Sequence, residues 1–122
     1  MKLGIDLLAA GELDRLTARP WFMRFMYSPS EADTAGTLAD DRRREFLAGR
    51  FAAKEAVLKV LGTGLFQGVE PRDISLSRSD SGAPSVALSG TALAAAGVAG
   101  VSQVAVSITH KQDLVAAVAI GW

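Results

Sequence analysis

The chain has 122 residues, the size of one domain, with 13 Lys and Arg against 13 Asp and Glu and no cysteine. Zero net charge argues against generic binding to DNA or RNA, which relies on many phosphate contacts. The missing cysteine excludes disulfides, thiolate catalysis and zinc–thiolate sites. Much of the apolar content is Ala and Val in short runs, so a core of small side chains is expected. No apolar run approaches a membrane span and the first fourteen residues lack a signal peptide's charged-then-apolar layout, so a cytoplasmic protein is expected, with no membrane or nucleic-acid partner.

Lys2 to Leu8 reads as a short buried strand, with Leu3, Ile5 and Leu7 on one face and Asp6 on the other. A carboxylate there is costly to bury without a partner and suits a turn cap as well as a ligand. Ala10 to Thr17 reads as a short helix ending before Pro20. Trp21, Phe22, Phe25, Met26 and Tyr27 form an aromatic cluster with Arg15, Arg19 and Arg24 around it. That pattern fits a hydrophobic anchor with solvated charges, or a basic docking surface for an acidic partner. Ser28, Pro29 and Glu31 form a capping box with proline at the first helical position, opening a short helix that Gly36 interrupts.

The stretch from Arg42 to Gly62 is the organising helix. Asp40 and Asp41 are its expected caps, Gly62 its stop, and Phe46, Leu47, Phe51, Leu58 and Leu61 its buried stripe. It carries six Lys or Arg between Arg42 and Lys59 against only Glu45 and Glu55. Positive charge gathered on one helix of a neutral protein suits an anion. Beyond it, Thr63 to Val69 reads as a loop and Arg72 to Ser77 as a strand, paired through a turn at Asp80 to Pro84 with Val86 to Leu88. Ser89 to Gly97 is an alanine-rich helix capped by Ser89 or Thr91, and Gln103 to Thr109 and Leu114 to Ile120 form a hairpin across Lys111 to Asp113. Helices first and an antiparallel meander last give an α+β class.

Glu55 and Lys59 lie four apart and share a helix face, as do Arg50 and Lys54; an ordinary pair of this kind contributes ~0.3 kcal/mol. Paired with Asp6, Glu55 makes a sensible Mg²⁺ site, since that ion takes two carboxylates plus phosphate oxygens and water. Both Glu55 and Lys59 sit near the negative C-terminal end of the helix, where a phosphate needs a cation's help. The Gly62-Thr63-Gly64 backbone could add N–H donors. His110, the single histidine, ends a strand and has no Ser and Asp at triad spacing.

Gly4 to Asp6 (GID), Phe46 to Gly64 (FLAGRFAAKEAVLKVLGTG), Asp73-Ile74, the Gly82-Ala83-Pro84 turn and Val106 to His110 (VSITH) resemble the holo-[acyl-carrier-protein] synthases, the short trimeric type of 4′-phosphopantetheinyl transferase. The resemblance implies the fold of that family, an antiparallel sheet packed with one long helix and several short helices. It implies transfer of the 4′-phosphopantetheine arm of coenzyme A to a serine of an apo acyl carrier protein, with release of adenosine 3′,5′-bisphosphate. By position, Asp6 and Glu55 would hold Mg²⁺ and Lys59 would neutralise or protonate the leaving phosphate. Arg50, Lys54, His110 and Arg42 would contact the nucleotide end, and the turn at Ala83 and Pro84 would approach the adenine. The cofactor would lie between subunits of a homotrimer, and Arg15, Arg19 and Arg24 would dock the acidic carrier. Glu55 is the candidate base for the serine. Fatty-acid synthesis is the family's default role; polyketide and peptide-synthase carriers are equally compatible. Leu58 stands where many members have a small polar residue. A non-catalytic module binding coenzyme A or a carrier protein, and an assembly subunit, are the competing readings.

Overall fold

The computed structural model describes residues 1–122. Strand β1 (Lys2–Ala9) leads through a 3-10 turn at Ala10–Leu13 into three short helices, α1 (Asp14–Thr17), α2 (Pro20–Met26) and α3 (Pro29–Gly36). Helix α4 (Asp40–Val60) follows, then the hairpin β2 (Ile74–Arg78) and β3 (Pro84–Leu88), helix α5 (Gly90–Ala99), and strands β4 (Val104–Lys111) and β5 (Leu114–Gly121). The α+β class holds, but the strands form two sheets: an antiparallel β1-β5-β4 sheet, and the β2-β3 hairpin by itself.

Local chemistry explains most element ends. Ser28 caps α3 through the Glu31 N–H while the Glu31 carboxylate accepts from the Ser28 N–H, closing the expected capping box. Helix α4 stops in a Schellman motif: Gly62 has φ +76°, its N–H donates to the Lys59 carbonyl, and the Thr63 N–H donates to the Leu58 carbonyl. Two caps differ from expectation. Asp40 and Asp41 lie inside the first turn of α4, where they favour the helix dipole, and Ala39 at the N-cap has no side chain to cap with. Helix α5 is capped from elsewhere in the chain: Asp73 accepts from the Thr91 N–H at 2.8 Å and from the Thr91 hydroxyl at 2.7 Å. Pro20–Met26, read only as an aromatic cluster, is a helix with proline in its first turn.

Helix α4 packs on one face of the β1-β5-β4 sheet. Ala48, Ala52, Ala53, Ala56, Val57 and Leu58 are fully buried there, with Val115, Ala117 and Ala119 from β5, so the core is small-residue as expected. Leu58, the departure from the family pattern, therefore lies inside the core. Gly4 makes the close approach possible, because a β-carbon built on it would overlap the Ala56 carbonyl oxygen. Strand β1 alternates as read, but its faces are reversed. Gly4, Asp6 and Leu8 turn toward α4, while Leu3, Ile5 and Leu7 are 65%, 66% and 65% exposed. Register places Leu3 beside Ile120 and Ile5 beside Val118 of β5, so the sheet's outer face carries an apolar patch.

Candidate active site

The predicted residues fall into two groups on different flanks of α4. At ~100° per residue, Glu55 lies about 140° around the helix from Arg50.

The first group faces β1. Lys59 does not pair with Glu55; its ammonium donates to the Ile5 carbonyl at 2.6 Å and stands 3.5 Å from Asp6 Oδ1. Glu55 Oε1 is buried and has no hydrogen-bond partner. Burial raises the Glu55 carboxyl above its ordinary value; the Asp6 charge raises it further, while Lys59 lowers it. Asp6 is likewise raised by burial, against the pull of Lys59. Two half-buried carboxylates, with the Asp6 charge disfavouring ionisation of Glu55 and one Glu55 oxygen orphaned, fit a hard divalent cation with oxygen ligands. No third His, Asp or Glu stands in a position to ligate with them, so phosphate oxygens and water would have to complete the shell. The Gly62 and Thr63 N–H groups, expected as phosphate donors, are committed to the Schellman motif; the Gly64 N–H is not so engaged.

The second group lines an open cleft of about 630 Å³, with Arg42, Phe46, Arg50, Arg78 and His110 in its wall. Arg50 lies over the Phe46 ring at 4.3 Å, and its Nε is buried with no partner. Burial lowers the Arg50 pKa, the Glu31 charge raises it, and Arg78 lowers it. His110 Nδ1 lies 3.6 Å from Glu45. Arg78 also donates to the Gly82 carbonyl at 3.3 Å, which puts the Gly82-Ala83-Pro84 turn at the rim. Arg78 and Phe46 line the cleft without a signal in the sequence for it: Arg78 sits in no motif, and Phe46 falls on the expected core stripe.

Lys54 corrects the sequence reading. Its side chain is fully buried, and its ammonium donates to Glu31 and to the Met26 and Pro71 carbonyls, so it has no proton left for a nucleotide. Burial lowers its pKa to about 8 against the opposing pull of Glu31, and it stays charged at neutral pH. Arg15 on α1, Arg19 in the link before α2 and Arg24 on α2 are exposed, and none makes an ion pair.

The model of the 4′-phosphopantetheinyl transferase superfamily matches residues 2–119. The chain is 45% identical to the holo-[acyl-carrier-protein] synthase of Maridesulfovibrio salexigens, over 97% of this chain and 94% of that one. It is 40% identical to that of Nitratidesulfovibrio vulgaris (strain DP4), with the same coverage. Its fold is similar to a holo-(acyl-carrier-protein) synthase from Bacillus anthracis str. Ames solved in complex with CoA (3′,5′-ADP), with a TM-score of 0.82, 30% identity and coverage of 98% of this chain and 94% of that one. The chain therefore belongs to the holo-[acyl-carrier-protein] synthases, enzymes of the 4′-phosphopantetheinyl transferase superfamily. No helix is long and apolar enough to cross a membrane.

Proposed function

We propose that this protein transfers the 4′-phosphopantetheine arm of coenzyme A to a serine of an apo acyl carrier protein, in a Mg²⁺-dependent reaction that releases adenosine 3′,5′-bisphosphate. The observation that carries this reading is the Asp6–Glu55 pair with its orphaned oxygen, set beside Lys59. The serine oxygen bonds to the phosphorus that bears the pantetheine, and the bond from that phosphorus to the bridging oxygen breaks. Such a transfer needs positioning and charge neutralisation rather than a covalent enzyme intermediate. Asp6 and Glu55 would hold Mg²⁺, which when bound would neutralise charge on the diphosphate. Glu55 is the base that takes the serine proton, directly or through a water beside it. Lys59 stabilises or protonates the oxygen that leaves with the bisphosphate.

Arg42, Arg50, Arg78 and His110 hold the nucleotide end, and Ala83 and Pro84 flank the adenine. That group lies on a different flank of α4 from Glu55, which supports a site completed by a neighbouring subunit. The exposed apolar patch of Leu3, Ile5 and Leu7 supports the homotrimer that would bring the two groups together. Arg15, Arg19 and Arg24, free of ion pairs, receive the acidic carrier.

The test is incubation with coenzyme A, Mg²⁺ and an apo acyl carrier protein, followed by intact-mass spectrometry and chromatography. The carrier is expected to gain the arm as adenosine 3′,5′-bisphosphate appears in equal amount. Asp6→Asn and Glu55→Gln are expected to abolish both signals while remaining folded. An unmodified carrier with the native enzyme, or full activity in either variant, would refute the assignment.

A further inference from the structure

Glu31 and Lys54 are the two most deeply buried charged residues, at 1% and 0% exposed, and neither takes part in the chemistry above. Lys54 donates to Glu31 Oε1 at 2.5 Å, to the Met26 carbonyl at 2.7 Å and to the Pro71 carbonyl at 3.2 Å. Glu31 is held equally firmly, accepting from the Ser28 N–H at 2.8 Å and the Leu76 N–H at 2.9 Å. A buried ion pair is by itself a poor source of net stability, because apolar residues of like volume often serve as well. Its location is more telling. Glu31 is part of the wall of the basic cleft, and its charge acts on Arg50. Arg50 is 6% exposed and its Nε has no partner, although a carboxylate stands in the same wall.

We propose that Lys54 is a positioning residue for the anion cleft: by fixing and cancelling the Glu31 carboxylate, it leaves the Arg50 guanidinium free to take a phosphate group as its counter-ion. This rests on the reading of the cleft as the seat of the nucleotide phosphates. Without Lys54, Glu31 keeps its two backbone donors, and its charge faces Arg50 uncancelled. An entering anion then meets a cleft with one less positive charge in its surroundings. The effect scales with the charge on the ligand, which a loss of bracing between Met26, Pro71 and α4 does not.

Calorimetric titration with adenosine 3′,5′-bisphosphate and adenosine 5′-monophosphate at fixed salt tests this on native enzyme, Lys54→Met, and Lys54→Met combined with Glu31→Gln. Lys54→Met is expected to weaken bisphosphate binding about tenfold and monophosphate binding about two- to threefold, reducing the preference between them. Adding Glu31→Gln is expected to rescue that preference to within about twofold of native. A native preference in Lys54→Met, equal weakening of both ligands, or a folded double variant without rescue would each overturn the proposal. If Lys54→Met does not fold, the double variant decides alone: a preference near native sustains the proposal, and a lost one refutes it. Failure of the native enzyme to bind either ligand would instead count against the cleft as a nucleotide site.

Discussion

Gly4→Ala is the sharpest test of how the fold builds the Asp6–Glu55–Lys59 group. The added β-carbon would overlap the Ala56 carbonyl oxygen and come within 3.1 Å of the Lys59 β-carbon. The oxygen belongs to the backbone of a 21-residue helix and cannot turn aside, so β1 must move away by on the order of 1 Å. Replacing glycine by alanine also stiffens the unfolded chain, a gain of about 0.4–1 kcal/mol. Overpacking costs about 1–3 kcal/mol, so the clash wins, and a fall in Tm of about 3–5 °C per kcal/mol follows. Asp6 is the next residue on the same face of β1, and Lys59 reaches Ile5 of that strand at 2.6 Å. Displacing the strand by that amount is therefore expected to reduce transfer about 10²-fold. Melting by circular dichroism and initial rates of carrier modification check both numbers. A variant that melts at or above the native temperature and transfers at the native rate would refute the close packing of β1 on α4 and its role in the site.

Two further predictions concern β1 and the helix packed on it. Burial raises both the Asp6 and the Glu55 carboxyls above their ordinary range; the folded state holds these protons more tightly, so metal-free stability should grow as pH falls from neutral toward that range. Glu55→Gln should accordingly melt higher than native enzyme at pH 7 without metal, lose that advantage on acidification, and gain less from added Mg²⁺. Native enzyme that is more stable than the variant under metal-free neutral conditions would contradict this. Ile5→Lys, placed in the outer apolar patch, should shift the sedimentation coefficient from that of the proposed trimer toward monomer and abolish transfer; an unchanged assembly would remove that patch from the interface.

What could be read from the sequence was whatever is decided within one or two turns. The Ser28–Glu31 capping box and the Gly62 stop need only neighbouring residues, and both formed as expected. The alternation of β1 was equally plain, yet the choice of inner face was not. Leu3, Ile5 and Leu7 look like a core face, and only the contact of Gly4 with α4, 52 positions away in the chain, turns them outward. Lys54 carried the same local signature as a solvated helix lysine. Its burial depends on Glu31, 23 residues earlier, which the sequence had already assigned to a cap. The cap on α5 comes from Asp73, 18 residues before Thr91, beyond any local signal. Arg78 joins the cleft only because the β2–β3 hairpin folds toward α4.

The placement of Glu55 and Arg50 on one continuous helix carries an evolutionary consequence. A rotation of α4 that improved one flank would spoil the other, so drift in either cannot be corrected by moving the helix. Adaptation to new partners or altered donors must fall on parts that touch a single flank. The β2–β3 hairpin is such a part: its Arg78 stands in the cleft wall with Arg50, so a change there alters one flank and leaves the other where it is.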